Sequence, residues 1–379
     1  MTYFYFDNAA TTKCLDDVRQ IVERYNHLYY YNPSANYLPS IDVHNEFECA
    51  RDTILKELKG YGGGLIFTSS GTEADNLALF GSKKRKDSNI VISAIEHPAV
   101  FNAAKALKES GFDVRIAPVN GAGVVDCERF VSLIDDNTSF ISVMHVNNET
   151  GALNPIKELC AMAKKKNPNV LFHSDGVQAL GKTSVNVADL GVDLYTISGH
   201  KIGAPKGIAA LYVRKGVSLS PILYGGGQEG GMRSSTENVG GIISFGYAIS
   251  RAVKELPERS ARCHAFVDLI REKLSSIEDV LFISDENCVP GIFAFAMKDL
   301  RGEAMQHALS AEGFLVGTGS ACSARRKNDR IRNALGLGKN YADGVIRISF
   351  GRENTLKEVD SLANAIVSIY QNMKKYVRK

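Results

Sequence analysis

Two hydrophobic patterns alternate along this chain: apolar residues at helical spacing, and short continuous apolar runs. Val18, Ile21, Val22 and Tyr25 share one face of a helix predicted from Leu15 to Tyr25. Val43, Phe47, Ala50, Ile54 and Leu58 share the face of a second, closed by Gly60 and Gly62-Gly-Gly64. Strands are predicted at Tyr3–Phe6, from Leu65, and at Asn89–Ser93, Phe112–Ala117, Phe140–Met144, Asn169–Phe172, Tyr195–Ile197 and Ile208–Val213. Helices fall between them, at Ala99–Glu109, Cys127–Ile134, Ile156–Lys165 and after the turn Ser69-Ser-Gly71-Thr72, where Thr72 and Asp75 have capping-box spacing. This alternation predicts an α/β fold with a mostly parallel sheet flanked by helices on both faces. Ligands of such sheets sit at the carboxyl ends of the strands.

The pattern changes near Pro257. Helices Val239–Leu256 and Ala261–Ile277 lead into strands at Val280–Ile283, Ile292–Phe295, Phe314–Val316 and Gly344–Phe350, with helices Gly302–Glu312 and Leu356–Tyr370. We expect a large domain over residues 14–257, and a smaller α/β domain made of residues 258–379 together with residues 1–13.

The strand ends carry the chemistry. The run ending at Ile197 is followed by Ser198-Gly-His200-Lys201, which places an amine at the edge of the core, where lost solvation lowers its pKa and favours Schiff-base formation. The preceding strand ends at His173-Ser-Asp175-Gly-Val-Gln178. An amine and a carboxylate on neighbouring strand ends suit pyridoxal phosphate: the lysine for its aldehyde, the acid for its ring nitrogen. Gly71 and Thr72 open a helix whose free N–H groups can hold a phosphate. His97 and Asn148 end two further strands, and Arg347 sits inside an apolar strand, awkward for a surface arginine.

Composition narrows the class. The 379 residues are 44% hydrophobic and 23% charged, with a net charge of +3, so neither a nucleic-acid partner nor a membrane is expected. The start of the chain does not read as a signal peptide. Seven scattered cysteines show no zinc or disulfide spacing, which predicts a cytoplasmic, reducing setting and no metal.

In order and spacing, Ser-Gly-Thr72-Glu, Glu-His97, Asn-Asn148-Glu, His-x-Asp175-x-x-Gln178 and Ser198-Gly-His200-Lys201 resemble a fold-type-I pyridoxal-phosphate enzyme, and more narrowly a cysteine desulfurase. The likeness runs from Asp7-Asn-Ala-Ala-Thr-Thr12 to Ile346-Arg347-Ile-Ser-Phe350. It implies that Lys201 carries the cofactor, Asp175 pairs with the ring nitrogen and Gln178 with the ring hydroxyl. His97 would stack on the ring and belong, with Lys201 and Cys322, to the catalytic set. The phosphate would be held by Gly71, Thr72, Ser198 and His200, and by Thr236 reaching from a neighbouring subunit, hence a homodimer with shared sites. Asn148 and Arg347 would hold the carboxylate of L-cysteine. Cys322, in Ser-Ala-Cys322-Ser, would take the sulfur as a persulfide for an iron–sulfur scaffold or thiolation enzyme, and is the one candidate for a transient iron–sulfur ligand. This motif resembles the group with a long mobile cysteine loop. Its five following cations (Arg325, Arg326, Lys327, Arg330, Arg332) depart from the family pattern, as do Gly230 and Tyr37; the run is read either as a solvated helix start or as a dock for an acidic acceptor. The rival readings are a selenocysteine lyase or aminotransferase of the same fold, and a non-catalytic assembly protein.

Overall fold

The computed structural model describes residues 3–85, 87–318 and 330–375. Cys322 and three of the cations after it, Arg325, Arg326 and Lys327, lie outside these residues.

Twelve strands form three sheets among the described residues. In chain order they are β1 (Phe4–Phe6), β2 (Gly64–Thr68), β3 (Asn89–Ser93), β4 (Asp113–Ala117), β5 (Thr138–Ser142), β6 (Leu171–Asp175), β7 (Leu194–Ser198), β8 (Ala209–Val213), β9 (Val280–Phe282), β10 (Ile292–Met297), β11 (Phe314–Val316) and β12 (Val345–Ser349). The large sheet has the order β2-β8-β7-β6-β5-β3-β4. Neighbours are parallel except at β8, which runs antiparallel to both β2 and β7. Strands β3, β5, β6 and β7 are buried almost throughout, as expected when helices cover both faces. The chain leaves β3 outward to β4 and returns on the other side of β3 as β5. That reversal opens a crevice at the carboxyl ends of these strands, where open α/β sheets bind ligands.

Element ends differ from the sequence reading in instructive places. β6 extends to Asp175, so the carboxylate is the last strand residue instead of part of the following turn. The second helix begins at Leu38, with Pro39 in its first turn, well before its apolar stripe. The helix Gly71–Gly81 is capped by Ser70, whose side chain accepts from Glu73 N at 3.2 Å; the expected Thr72–Asp75 cap does not form, and Asp75 is buried instead.

A second apolar core gathers Phe266, Phe293, Phe295, Ile346, Phe350 and Leu362 around Phe6 from the start of the chain. It is carried by the antiparallel sheet β12-β10-β9 and by β1, which pairs in parallel with β11. Through this pairing, and through Asn8 N donating to Ser349 O at 3.3 Å, the N-terminal strand is delivered beside the crevice of the large sheet.

Candidate active site

A cleft of about 570 Å³ lies over the strand ends of the large sheet, within the usual size of a cofactor pocket. Lys201, in the short turn after β7, reaches its floor. Its Nζ is buried and donates to the carbonyls of Ala9 and Ala10, each at 2.7 Å. Asp175 enters from β6, where Oδ1 also accepts from Val177 N at 2.9 Å. The tight turn behind it requires Gly176, since a β-carbon there would fall 2.1 Å from the Tyr195 ring packed beneath. Gln178 donates from Nε2 to Ala9 O at 2.8 Å, which leaves its Oε1 buried and unpartnered among the described residues.

His97 caps the helix Pro98–Glu109, its Nδ1 accepting from Ala99 N at 3.2 Å. Burial lowers its pKa and Lys201 and Arg330 push the same way, against the pull of Asp175, so the ring is neutral at pH 7 with its remaining proton on Nε2. Gly71, Thr72, Ser198 and His200 line another part of the cleft. Burial first, and then Lys201, Lys206 and Lys182, bring His200 down to about 4, and its Nδ1 lies 3.1 Å from Thr11 Oγ1. Asn148 and Arg347 stand together in the lining, the guanidinium Nη1 donating to Asn148 O at 2.9 Å. Asn148 Oδ1 is buried without a partner among the described residues.

Thr236 lies elsewhere. It is exposed, on a separate pocket with Glu229, Arg233 and Ser69, and does not reach the cleft of its own chain. The glycine-rich stretch before it is pinned by Glu229, whose carboxylate accepts from Arg51 Nη2 at 2.9 Å and from Phe67 N at 2.9 Å. Gly230 adopts φ +62°, a conformation in which glycine is least strained. Tyr37 precedes the helix Leu38–Glu57 and packs edge-on against Tyr31 with ring centroids 6.2 Å apart.

Arg330 is not a docking cation. Its guanidinium turns inward to donate to the carbonyls of Ala94 and Glu96 and lies 4.0 Å from the centre of the Phe101 ring. Arg332 pairs with Asp343 at 2.9 Å.

Below the cleft runs a buried polar chain that sequence reasoning missed. Asp75, His97 and Asp175 bring polar atoms within 4.8 Å of one another. Asp75 Oδ1 lies 3.6 Å from His173 Nε2; His173 bonds Thr196 Oγ1 at 3.0 Å and Ser142 Oγ at 2.9 Å; Ser142 reaches Glu96 at 3.4 Å. Burial and the nearby Asp175 charge hold the Asp75 carboxyl well above the usual range, and burial pushes Glu96 up to about 8. Glu96 is therefore mainly a neutral acid at pH 7. The one signal that pointed to Glu96 was its place beside His97 at the end of β3.

The chain matches the profile of the class-V aminotransferases over residues 4–362. It belongs to that family. The family depends on pyridoxal phosphate, and the cleft fits that group: an amine, a buried carboxylate, an unpartnered amide oxygen able to accept from a hydroxyl, and a helix N-terminus for a phosphate. Among named relatives of this class-V chain, "Cysteine desulfurase IscS 1" of Archaeoglobus fulgidus is 36% identical over 375 residues, 98% of this chain and 97% of that one. "Cysteine desulfurase IscS" of Clostridium botulinum is 35% identical, covering 96% and 94%. Among solved structures, a "NifS-like protein" superposes with a TM-score of 0.90 at 33% identity over 98% of this chain and 100% of that one. "SspA in complex with cysteine" superposes with a TM-score of 0.78 at 30% identity, covering 91% and 98%.

Proposed function

We propose that this class-V enzyme is a cysteine desulfurase, converting L-cysteine to L-alanine and passing the sulfur, held on Cys322 as a persulfide, to an acceptor protein. The observation that carries this reading is the meeting of Lys201, Asp175 and Arg347 in one cleft, in a chain similar to named desulfurases over nearly its whole length. Bound there, pyridoxal phosphate supplies an aldehyde for the substrate amine and a ring that withdraws electrons from the α-carbon.

The chain's own residues do the rest. The first N–H groups of the helix Gly71–Gly81, with Ser198 and His200, hold the phosphate. Asp175 would be the carboxylate for the ring nitrogen, Gln178 Oε1 would accept from the ring hydroxyl, and His97 would lie against the ring. Arg347 and Asn148 orient the substrate carboxylate. The Lys201 amine, positioned by the Ala9 and Ala10 carbonyls, would take the proton from the substrate α-carbon. The Cys322 thiolate attacks the substrate sulfur; the S–S bond forms, the C–S bond breaks, and its electron pair stays with the carbon that becomes the methyl group of alanine once protonated. Cys322 then gives its sulfur to an iron–sulfur scaffold or a thiolation enzyme.

Thr236 serves the cleft of a second copy in a homodimer. Support comes from its exposure and from its neighbourhood: Ser34 Oγ donates to Glu237 at 3.4 Å, bringing the Thr236 stretch to a segment that exposes Leu28, Tyr30, Tyr37 and Leu38. We read residues 14–257 as the cofactor-binding unit and residues 1–13 with 258–379 as the second. A reducing, cytoplasmic setting agrees with six unpaired cysteines among the described residues, where no helix is long and apolar enough to cross a membrane.

The test is chemical. Incubated with L-cysteine, the protein should yield alanine, and mass spectrometry should find one added sulfur on the peptide of Cys322. Cys322→Ser should abolish sulfur transfer. A keto acid in place of alanine, or full turnover in Cys322→Ser, would overturn the reading in favour of a transaminase.

A further inference from the structure

Arg347 already has a carboxylate. Its Nη2 donates to Asp7 Oδ1 at 2.6 Å and its Nη1 to Asn148 O at 2.9 Å, while Nε is buried without a partner among the described residues. The arginine side chain is 8% exposed and that of Asp7 21%, so this is a largely desolvated ion pair and not a surface contact. Three distant stretches meet on the one guanidinium: Asp7 follows β1, Asn148 follows β5, and Arg347 stands in the middle of β12. Gly317 completes the arrangement. Its backbone exchanges hydrogen bonds with Arg347 at 2.9 and 2.8 Å, and a β-carbon on it would lie 2.7 Å from Asp7 Oδ1 and 2.8 Å from Arg347 Nη2. Any larger residue there would displace one member of the pair.

A guanidinium buried this far needs an anion, and Asp7 supplies one before any substrate arrives. The other carboxyl group under the Arg347 charge is Glu149, where burial outweighs Arg347, Arg330 and Arg332 and pushes the group up to about 7. An incoming α-carboxylate therefore meets a fork that is already half used and half neutralised. Two effects follow, with opposite signs on affinity. The Asp7 oxygen fixes which edge of the fork faces the cleft, which helps a carboxylate bind. The Asp7 charge repels that carboxylate, which helps the product amino acid leave.

We propose that Asp7 is a positioning residue that orients Arg347 and limits how tightly it holds the carboxylate of substrate and product. The inference rests on the reading of Arg347 as the carboxylate site, and the experiment separates the two. The variants Asp7→Asn and Asp7→Ala, loaded with cofactor, are compared with wild type for cysteine KM and kcat, for the inhibition constant of L-alanine, and for melting temperature. Asp7→Asn keeps the accepting oxygen and loses the charge, so the alanine constant and the cysteine KM should both fall, by about three- to tenfold for a partly buried charge. Asp7→Ala loses the oxygen too, so both constants should rise, by about tenfold for a lost hydrogen bond to a charged group, with kcat less affected. Shifts in the same direction in both variants, or changes under about twofold in both, would overturn the inference, because a purely structural role gives no split. If Asp7→Ala does not fold, Asp7→Asn decides alone: tighter alanine binding supports the inference, and unchanged or weaker binding ends it. Arg347→Gln tests the reading beneath. Unchanged cysteine and alanine constants there would remove the carboxylate site itself, whereas raised constants with no Asp7 split would remove only the role of Asp7.

Discussion

Glu96 sits just past the end of β3, buried, with no cation bonded to its carboxylate among the described residues. Ser93, Ser142 and Met144 N surround it, which satisfies the oxygens without neutralising a charge. Its pKa in the folded protein is about 8, above the unfolded value, so the folded state binds the extra proton between about pH 4.5 and 8. Stability from this group is complete below the unfolded pKa and falls as pH rises towards 8, at no more than ~1.4 kcal/mol per pH unit for one proton. Glu96→Gln mimics the neutral acid and should flatten that fall. Melting curves at pH 5 and pH 8 should show the variant gaining on wild type at the higher pH; an equal difference at both would mean that Glu96 is ionised in the native protein. Burial, and then the Asp175 charge, push the Asp75 carboxyl up in the same direction, and burial raises Asp175 as well against the pull of His97 and Lys201. Glu149, pushed up to about 7, adds a further group in the same range, which is why the comparison with the variant is needed.

The helix Gly71–Gly81 shows how far local pattern can be trusted. Ser-Gly-Thr-Glu and Thr-Glu-Ala-Asp offer two capping registers two residues apart, and the first one forms because β2 stops at Thr68. Even there the box is incomplete: the Glu73 carboxylate turns away from the cap to Ser69 N at 2.9 Å and to Arg233 Nε at 2.7 Å. Burial alone would raise Glu73, but Arg233 and Ser69 outweigh it and hold the carboxylate below its usual range. The pair ties the phosphate turn to the stretch leading to Thr236, a link no periodicity could reveal because 160 positions separate its ends. Glu73→Gln should weaken cofactor retention, with a loss of about 1–2 kcal/mol, or roughly five- to thirtyfold in dissociation constant, for a charge-assisted bond. Equilibrium dialysis followed by absorbance of the bound cofactor measures it; retention equal to wild type would show that the turn needs no tie. The brief helices at Val187–Leu190 and Lys339–Ala342 escaped the sequence reading for a simpler reason, being too short to show a repeat.

Across the whole molecule, what the sequence exposed was the alternation and the strand ends. Lys201, Asp175, His97 and Asn148 come together because each stands at or beyond the carboxyl end of a buried strand of one sheet, and that much could be read from apolar runs alone. What it hid was everything delivered from outside the sheet. Asp7 and the carbonyls of Ala9 and Ala10 bind Arg347, Gln178 and Lys201 from a turn near the start of the chain, and a backbone carbonyl leaves no mark in a sequence. The inward turn of Arg330 was equally hidden, since a run of cations looks the same whether solvated or folded back. The proposed homodimer belongs to this scale as well. Leu38 is 78% exposed at the head of a long helix, and Leu38→Asp should shift the protein towards monomer in sedimentation and release cofactor in step, if Thr236 completes the partner's cleft. Full cofactor occupancy in a monomer would remove that role.

The parallel pairing of β1 with β11 also sets a timetable for synthesis. Residues 4–8 leave the ribosome long before Phe314–Val316 and Ser349, and must wait for them before they find these partners. Until then the turn that grips the amine and the guanidinium is held from the large-sheet side alone, by Gln178 on Ala9 O and by His200 O accepting from Thr12 N at 3.0 Å. A nascent chain can assemble its large sheet early, but it cannot acquire a finished catalytic pocket until Arg347 and Ser349 have been translated.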